Sequence, residues 1–476
     1  MKRRKLILIL AATAALSALA LSAARARDVA KVATGFVANV LCTDTFVSGL
    51  DPVRVFTETT SAMPGAGLIA WALDYRVDRA RKDVTVTLFG LGRSHAVHRG
   101  EGLGCYLDHG GAVADITLPP AEAGPARLPD IAGPSIVAPQ TSKLAAALDR
   151  AFAEPDKSTP RNTRAVVILK DGHVIAERYA DGIAIDTPLL GFSATKSVIS
   201  ALAGILVRKG ALRLHEPVSI AAWQANGDAR RTITLDHLLR HTAGLALGSS
   251  LQASLASALE PVNRMKFMEP DMAAYAKSMP LETAPGAVWN YHDGNTVILA
   301  HLIRQATGGS ASNMMRFARQ ELFEPLGMHN VTLEFDASGS AEGSSQLLAS
   351  ARDWARFGQL YLNDGTAGGK RILPEGWVKY SATPTPHAWV GQGAGFWTNL
   401  GDSFGATYRI ERGWPRDAFF AKGTVGQYVI IVPSERLVIV RLGRSPNWPP
   451  EADGVFDLVR DVVAATGSKA KLAGAN

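Results

Sequence analysis

Ser193 and Lys196 stand three residues apart just before an uncharged, apolar stretch, residues 198–207. An apolar stretch without a polar face predicts a helix buried in a core. At the start of such a helix, free backbone N–H groups and the helix dipole favour negative charge on the serine, and the lysine projects from the same face one turn later. Because burial disfavours a charged ammonium, we expect Lys196 to lose its proton and act as the base of Ser193, or else to act as its charge partner.

The same spacing also arises by chance, since Ser468 and Lys471 repeat it in a polar C-terminal tail. Only the first pair precedes an apolar helix and is followed by further candidate residues. Tyr291 is one of these, because it stands before a second apolar run, residues 297–303. A tyrosine there can carry a proton if nearby ammonium charge lowers its pKa, and plain packing is the alternative.

A possible metal-binding pair is formed by His237 and His241, four residues apart on one predicted helix. No glutamate follows His237, and no third ligand stands at a recognisable distance in the sequence. We therefore expect His241 to order the turn at Gly244 through hydrogen bonds, and we predict no metal and no cofactor.

The N-terminus has the three parts of a secretory signal peptide: basic residues 2–5, an apolar run at 6–21 and a small-residue cleavage site at 24–26. We expect cleavage of residues 1–26 and a periplasmic or secreted protein, with a membrane anchor only if the segment stays uncleaved. Removing residues 1–26 takes away five basic residues and no acidic one, which lowers the formal charge from +7 to +2. That charge gives no reason to predict nucleic-acid binding.

Cys42 and Cys105 are the two cysteines of the chain. In an oxidising compartment the pair predicts a disulfide, with two buried free thiols as the alternative. Residues 84–90 alternate like a strand, and residues 119–139 are rich in proline, alanine and glycine, as linkers are. We predict a small N-terminal region, residues 27–140, ahead of a main domain at residues 141–470.

Two hairpins frame the main domain. Asp171 and Gly172 separate two β-type runs, which is the pattern of a two-residue hairpin loop. Near the C-terminus, a strand at residues 423–432 and another at 437–442 flank a short turn. The glycines at the head of the first of these strands would let a ligand approach the backbone closely.

Seven segments in this order resemble the β-lactamase-related branch of the penicillin-recognising serine hydrolases. That branch includes class C β-lactamases, family VIII esterases, D-alanyl-D-alanine carboxypeptidases and 6-aminohexanoate-dimer hydrolases. The resemblance implies an α+β fold of the β-lactamase/transpeptidase type, an antiparallel sheet flanked by helices with a mostly helical lobe, and an active site between them. The segments are the hairpin at 171–172 and residues 193–197, 238–245, 285–291, 323–328, 351–358 and 423–427.

The resemblance also implies roles for individual residues. Ser193 attacks a carbonyl carbon, and Lys196 and Tyr291 share the proton transfers. The backbone N–H groups of Ser193 and Gln427 form the oxyanion hole. Aromatic side chains near the cleft, among them Trp414 and Phe420, either line it or belong to the core. The substrate-binding residues implied are Asp293, Thr424, Gly426 and Trp397.

Two motifs depart from the family pattern. The usual Tyr-x-Asn is residues 291–293, Tyr-His-Asp, and the usual Lys-Thr-Gly aligns with residues 424–426, Thr-Val-Gly, with Lys422 two residues earlier. Without a cation in that motif, the carboxylate of a penicillin or a D-alanyl peptide loses an ion pair and is bound less strongly. We therefore predict an exported esterase or amidase that acts on a small-molecule ester or amide, or on a cell-wall peptide. The alternatives are a D-alanyl-D-alanine carboxypeptidase or weak β-lactamase, and a non-catalytic protein that binds cell-wall peptides.

Overall fold

The structure is a computed structural model that describes residues 2–118, 126–156, 159–251, 257–447, 449 and 451–467, with side chains from residue 22 onward. The helices are α1 (Lys2–Phe46), α2 (Pro52–Ala62), α3 (Ser142–Phe152), α4 (Thr195–Arg208), α5 (Leu235–Leu239), α6 (Pro261–Phe267), α7 (Met272–Ser278), α8 (Asp293–Ala306), α9 (Ala311–Ala318), α10 (Glu324–Leu326), α11 (Ala351–Leu362), α12 (Trp377–Ala382), α13 (Phe404–Glu411) and α14 (Val455–Thr466). The strands are β1 (Leu73–Asp78), β2 (Asp83–Leu88), β3 (Gly92–Gly100), β4 (Gly104–Asp108), β5 (Thr163–Lys170), β6 (His173–Tyr179), β7 (Leu189–Leu190), β8 (Thr332–Leu333), β9 (Leu347–Ala349), β10 (Thr366–Ala367), β11 (Lys370–Arg371), β12 (Trp397–Thr398), β13 (Phe419–Gly423), β14 (Gln427–Val432) and β15 (Leu437–Gly443).

A six-stranded antiparallel sheet in the order β12-β13-β14-β15-β5-β6 forms the centre of the main domain. Its middle strands β5, β14 and β15 are apolar on both faces because both faces are covered. One face packs against α4 and α11, and the other packs against α3 and α14. The predicted α+β architecture is confirmed.

The two predicted hairpins are present, and one of their strand boundaries differs from the prediction. Asp171 and Gly172 both have positive φ, as the tight turn between β5 and β6 requires. At the other hairpin, residues 424–426 form the turn between β13 and β14 and are not part of a strand. The strand predicted at residues 423–432 was therefore too long at its start.

The mostly helical lobe contains the long helices α4 and α8, which pack against each other. Both are buried along most of their length, which explains the apolar runs that the sequence shows at residues 198–207 and 297–303. The short helix α5 begins at a capping box, in which Thr234 and His237 bond each other's backbone N–H groups.

The N-terminal region is an antiparallel sheet, β1-β2-β3-β4, that packs against α1. Its apolar residues join the same hydrophobic core as the helical lobe, so the region is packed into the main domain. The described part of the predicted linker is also docked, because the N–H groups of Arg127 and Leu128 bond the carbonyl of Pro325. The rest of that linker, residues 119–125, lies outside the described residues, and the domain boundaries stay a prediction.

Helix α1 contains the segment predicted as a signal peptide. Described side chains before Asp28 are exposed, and burial begins at Ala30. Among the residues that the structure describes, no helix is long and apolar enough to span a bilayer. The signal peptide and its cleavage stay predictions.

Candidate active site

Ser193 lies in a single 3₁₀ turn, residues 192–194, that leads directly into α4. The preceding residue, Phe192, has a φ of 44°, an unfavourable conformation for a residue with a side chain. The surrounding structure holds it there, because Arg444 stacks on the Phe192 ring, 4.7 Å from its centroid. Ser193 is partly exposed, whereas its neighbours on both sides are buried, so the hydroxyl can be reached from outside.

Lys196 is held in place by three acceptors. Its Nζ donates to Ser193 Oγ at 3.1 Å, to Asp293 Oδ1 at 2.6 Å and to the carbonyl oxygen of Ser344 at 2.9 Å. Burial by itself would lower the pKa of Lys196, but the negative charge of Asp293 outweighs it and raises the pKa above its ordinary value. Of the two roles predicted for Lys196, base or charge partner, these contacts favour the charge partner of Ser193.

Asp293 is the residue that keeps the lysine charged. It begins α8, where the helix dipole favours a carboxylate, and it lies between two ammonium groups. Its Oδ1 accepts from Lys196, and its Oδ2 accepts from Lys266 at 3.0 Å. Burial opposes its charge, yet the two lysines hold the pKa of Asp293 far below its usual range.

The predicted substrate contact by Asp293 stays a prediction. The residue does line the pocket at Ser193, but each of its carboxylate oxygens is already bonded to a lysine. We assign Asp293 to positioning Lys196. Lys266 of α6, which also bonds Ser345 Oγ at 2.7 Å and lies 3.6 Å from Glu342, was missed in the sequence because no motif marks it.

Tyr291 lies close to the lysine, as predicted. Lys196 Nζ is 5.0 Å from the centroid of its ring, and the ring of His241 packs against it with 4.6 Å between centroids. Burial, followed by the charge of Lys196, lowers the pKa of His241 well below its ordinary value, so this imidazole is neutral at neutral pH. The role of Tyr291 in proton transfer stays a prediction.

His241 therefore lies beside the candidate site and not at a metal centre. Its Nδ1 is 3.3 Å from Asn295 Nδ2, and its backbone carbonyl accepts the N–H of Asn290 just before Tyr291. Its neighbour His237 is occupied by the capping box of α5. No group of metal-ligating side chains large enough for an ion occurs among the described residues.

The turn after β13 lies next to Ser193. Gly423 ends that strand so close to the backbone of Gly191 that a side chain there would collide with the Gly191 carbonyl. Thr424 follows it and lines the same pocket as Ser193. Its Oγ1 is held by Asn447 Nδ2 at 2.6 Å.

The other predicted residues of this turn have structural contacts. Gln427 uses its side-chain amide to bond the carbonyls of Val425 and Gly443, at 3.1 and 2.7 Å. Gly426 has a φ of 90°, and a side chain there would collide with the guanidinium of Arg441. The close approach that Gly426 permits is therefore to the protein's own arginine, and its predicted substrate contact stays a prediction. The oxyanion role of the Gln427 N–H stays a prediction.

The aromatic residues near the cleft divide into two groups. Trp397 lies beside Tyr291, with 5.9 Å between ring centroids, so it remains near the candidate site. Trp414 and Phe420 belong to the core between the sheet and helices α3 and α14, as the alternative interpretation held. Lys422 Nζ lies over the Trp397 ring, 5.1 Å from its centroid, and burial lowers its pKa.

A pocket of about 120 Å³ opens at Ser193. The main domain supplies its polar side, and α1 with the residues around β1 supplies an apolar side that the sequence did not reveal. The polar lining residues are Ser193, Ser249, Ser250, Ser257, Asn263, Lys266, Asp293, Ser345, Gln346 and Thr424. The apolar lining residues are Val32, Ala33, Phe36, Val37, Met63, Ala66, Ile69, Leu73, Phe192, Ala258 and Phe267.

The N-terminal region is fixed to the main domain by covalent and ionic contacts. Cys42 and Cys105 form the predicted disulfide, which joins α1 to β4. Asp44 of α1 accepts from Arg164 at 3.0 Å and from Arg444 at 2.6 Å, and all three side chains are buried. Since Arg444 also stacks on Phe192, α1 is linked through one side chain to the turn that carries Ser193.

Solved structures share this fold. A penicillin-binding protein homologue from Caulobacter crescentus aligns with a TM-score of 0.52 at 17% identity, over 71% of this chain and 100% of its own. A family VIII carboxylesterase aligns with a TM-score of 0.51 at 16% identity, over 69% of this chain and 98% of its own.

Sequence comparison gives the same assignment. A 6-aminohexanoate-dimer hydrolase from Paenarthrobacter ureafaciens is 24% identical over 227 residues, which are 46% of this chain and 56% of that relative's length. The chain thus spans little more than half of this relative. The profile of the beta-lactamase family matches residues 148–464, well over half of the chain, and includes Ser193, Lys196 and Tyr291. The chain belongs to the beta-lactamase family.

Proposed function

We propose that this protein is a serine hydrolase that cleaves an ester or amide bond through an acyl intermediate on Ser193. The observation that carries the proposal is the position of Lys196, whose charged Nζ lies 3.1 Å from Ser193 Oγ at the opening of a pocket. An ammonium at that distance lowers the free energy of the serine alkoxide that forms during attack.

A route for the serine proton follows from the contacts of Lys196. Because Asp293 keeps this lysine charged, Lys196 takes the proton of Ser193 only after it has released one of its own to solvent, and Asp293 Oδ1, 2.6 Å away, stabilises the ammonium that forms again. The Oγ–carbon bond forms, and the carbonyl electron pair moves to the oxygen. When the intermediate collapses, the bond to the leaving group breaks, and the proton returns through Lys196 and Tyr291 to that group. Water then repeats the sequence on the acyl-serine.

The carbonyl oxygen needs two hydrogen-bond donors as it gains charge. We keep the N–H of Ser193 as the first. For the second we propose the N–H of Thr424 in place of that of Gln427, because Thr424 lines the pocket with Ser193. Gln427 instead pairs with Gly423 in the ladder between β13 and β14.

The two alternative activities, carboxypeptidase and β-lactamase, both require a cation that forms an ion pair with a substrate carboxylate. Lys422 lies over the Trp397 ring, and among the described lining residues the cation is Lys266, which is paired with Asp293 and Glu342. These contacts favour an ester or amide without a carboxylate next to the scissile bond. A non-catalytic peptide-binding protein has no need of a charged lysine that is hydrogen-bonded to a serine, as Lys196 is to Ser193.

We also propose that the protein is exported. A disulfide between Cys42 and Cys105 fits an oxidising compartment. Cleavage after residue 26 would leave the packed part of α1 intact, because burial begins at Ala30. Intact mass of the protein purified from the cell envelope tests this: a mass that includes residues 1–26, in the cytoplasmic fraction, would contradict it.

Stopped-flow release of p-nitrophenol from p-nitrophenyl acetate tests the hydrolase. The expected result is a burst equal to the enzyme concentration, which is lost in Ser193→Ala. Ser249→Ala is the matched control, since Ser249 lines the same pocket without contacting Lys196, and it should keep the burst. Turnover that persists in Ser193→Ala, or no turnover of any ester or amide by the wild type, would overturn the proposal.

A further inference from the structure

The apolar side of the pocket comes largely from the N-terminal region. Four of its lining residues lie on two successive turns of α1, and the others follow α2 as far as the start of β1. They meet Phe192 and Phe267 of the main domain at the pocket. The lining residues from the N-terminal region are Val32, Ala33, Phe36, Val37, Met63, Ala66, Ile69 and Leu73.

The polar atoms are confined to the main-domain side. Lys266 and Asp293 bond each other there, and Ser345 Oγ accepts from Lys266 at 2.7 Å. These groups surround Ser193, and every lining residue that the N-terminal region contributes among the described ones is apolar. The pocket therefore has a reactive polar end and an apolar end, as sites for amphipathic ligands do.

The apolar side is held rigidly in place. Gly35 lets α1 approach α6 so closely that a Cβ at this position would lie 2.9 Å from Phe267 Cβ. The rings of Phe36 and Phe267 meet edge to face, with 6.0 Å between centroids. With the disulfide at Cys42 and the buried pairs of Asp44, these contacts form the apolar side before any substrate arrives. A preformed apolar site binds an apolar group without first having to order its own side chains, which lowers the entropic cost of binding.

The covalent intermediate decides which part of a substrate belongs there. The acyl group stays attached to Ser193 Oγ until water releases it, whereas the leaving group must depart. A partly enclosed apolar space next to Ser193 fits the part that stays. We propose that the N-terminal region forms the binding site for an aliphatic acyl chain, so that the substrates are esters or amides of medium-chain acids. This inference rests on the proposed function and names the substrate class of the same site.

The chain-length dependence of hydrolysis tests the proposal. We compare kcat/KM for p-nitrophenyl esters from acetate to decanoate, and we expect a rise of roughly fourfold per methylene until the chain fills the pocket. Ala33→Trp and Ala66→Trp place a large ring into the apolar side from two different elements. Each should lower the octanoate-to-acetate ratio of kcat/KM at least tenfold.

Ala70→Trp is the matched control, because Ala70 lies four residues after Ala66, is similarly half-buried and does not line the pocket. It should leave the chain-length profile unchanged. A wild-type profile that is flat or falls from acetate onward would overturn the acyl-chain site, and so would a ratio that both Ala33→Trp and Ala66→Trp leave intact. Loss of all Ser193-dependent hydrolysis in the wild type is the separate result that overturns the proposed function.

Discussion

Asp293 and Asp44 are buried carboxylates that are each bonded to two cations. Asp293 lies between Lys196 and Lys266 at the opening of the pocket, and Asp44 lies between Arg164 and Arg444 where α1 meets the main domain. In both clusters, burial disfavours the charged carboxylate. The two neighbouring cations favour that charge more strongly, so the pKa of the aspartate falls below its ordinary value. Each oxygen of Asp293 accepts from one lysine, whereas both arginines bond Oδ2 of Asp44, and the cations themselves also differ.

The difference follows from the chemistry of the two cations. A lysine ammonium can give up and regain a proton, whereas an arginine guanidinium stays charged and presents several donors in a fixed plane. The lysine cluster touches the serine hydroxyl, so protons can move through it. The arginine cluster is sealed from solvent and connects α1 with β5 and the segment after β15. We therefore expect the first cluster to serve the proposed chemistry and the second to serve the packing of the N-terminal region.

Exchanging lysine and arginine in each cluster should separate these functions most strongly. Lys196→Arg keeps the charge beside Asp293 but removes the group that passes a proton, so kcat/KM should fall about 10³-fold or more. Arg164→Lys keeps a charge beside Asp44 but loses donors to Asp44 and Glu58. It should lower the free energy of unfolding by about 1–3 kcal/mol, with kcat/KM within threefold.

Ester hydrolysis and urea unfolding of both variants measure these effects. If Lys196→Arg keeps more than a tenth of the wild-type kcat/KM, Lys196 acts as a fixed charge, and the proton route through it is wrong.

Removing the carboxylate charge from each cluster should also give losses that differ in kind. Asp44→Asn leaves two buried guanidinium groups without their shared anion, and we expect about 3–5 kcal/mol less stability. Asp293→Asn leaves Lys196 without the charge that raises its pKa, so the pH profile of kcat/KM should change along with its magnitude. Denaturation curves and pH–rate profiles for both variants distinguish the two. An unchanged pH profile for Asp293→Asn would argue against control of Lys196 by Asp293.

A third buried carboxylate, Glu334, lies at the same domain contact as Asp44 but has no cation bonded to it. Its Oε1 accepts from Thr43 Oγ1 and from the N–H of Cys105, each at 2.7 Å. Burial raises the pKa of Glu334 to about 8. Because the pKa is higher in the folded chain than in the unfolded one, its contribution to stability is fully present below about pH 4 and is lost as pH rises toward 8.

Glu334→Gln keeps the size and the acceptor atom and removes the titration. The variant should therefore gain stability relative to wild type as pH rises from 5 to 8, by roughly 1–3 kcal/mol. Thermal unfolding of both proteins across that range measures the difference. Parallel curves for the two proteins would show that Glu334 does not titrate there.

Local patterns in the sequence predicted much of this structure. Short-range rules account for two of these features: the spacing of Ser193 and Lys196 before an apolar helix, and the hairpin at Asp171 and Gly172. The disulfide could be predicted because Cys42 and Cys105 have no other cysteine to pair with. The sequence left the charge state of Lys196 open, because that state depends on Asp293, which lies 97 residues away in the chain.

Other features could not be predicted because they depend on tertiary contacts. The link between Asp44 and Arg444 spans 400 residues, and no motif marks either residue. The apolar side of α1 that faces the pocket has the same residue types as any core helix, so its position next to Ser193 appears only in the folded chain. The turn at residues 424–426 was placed in a strand because its residues continue the β-type pattern on both sides.

The central claim is that Ser193 is the nucleophile and that Lys196, held by Asp293, activates it. Mass spectrometry after reaction with a fluorophosphonate ester tests this directly, because the reagent forms a stable bond only with an activated nucleophile. We predict one adduct per chain, on the peptide that contains Ser193, with none in Ser193→Ala and much slower labelling in Lys196→Arg. Labelling at another residue, or equal labelling of the wild type and Lys196→Arg, would contradict the account.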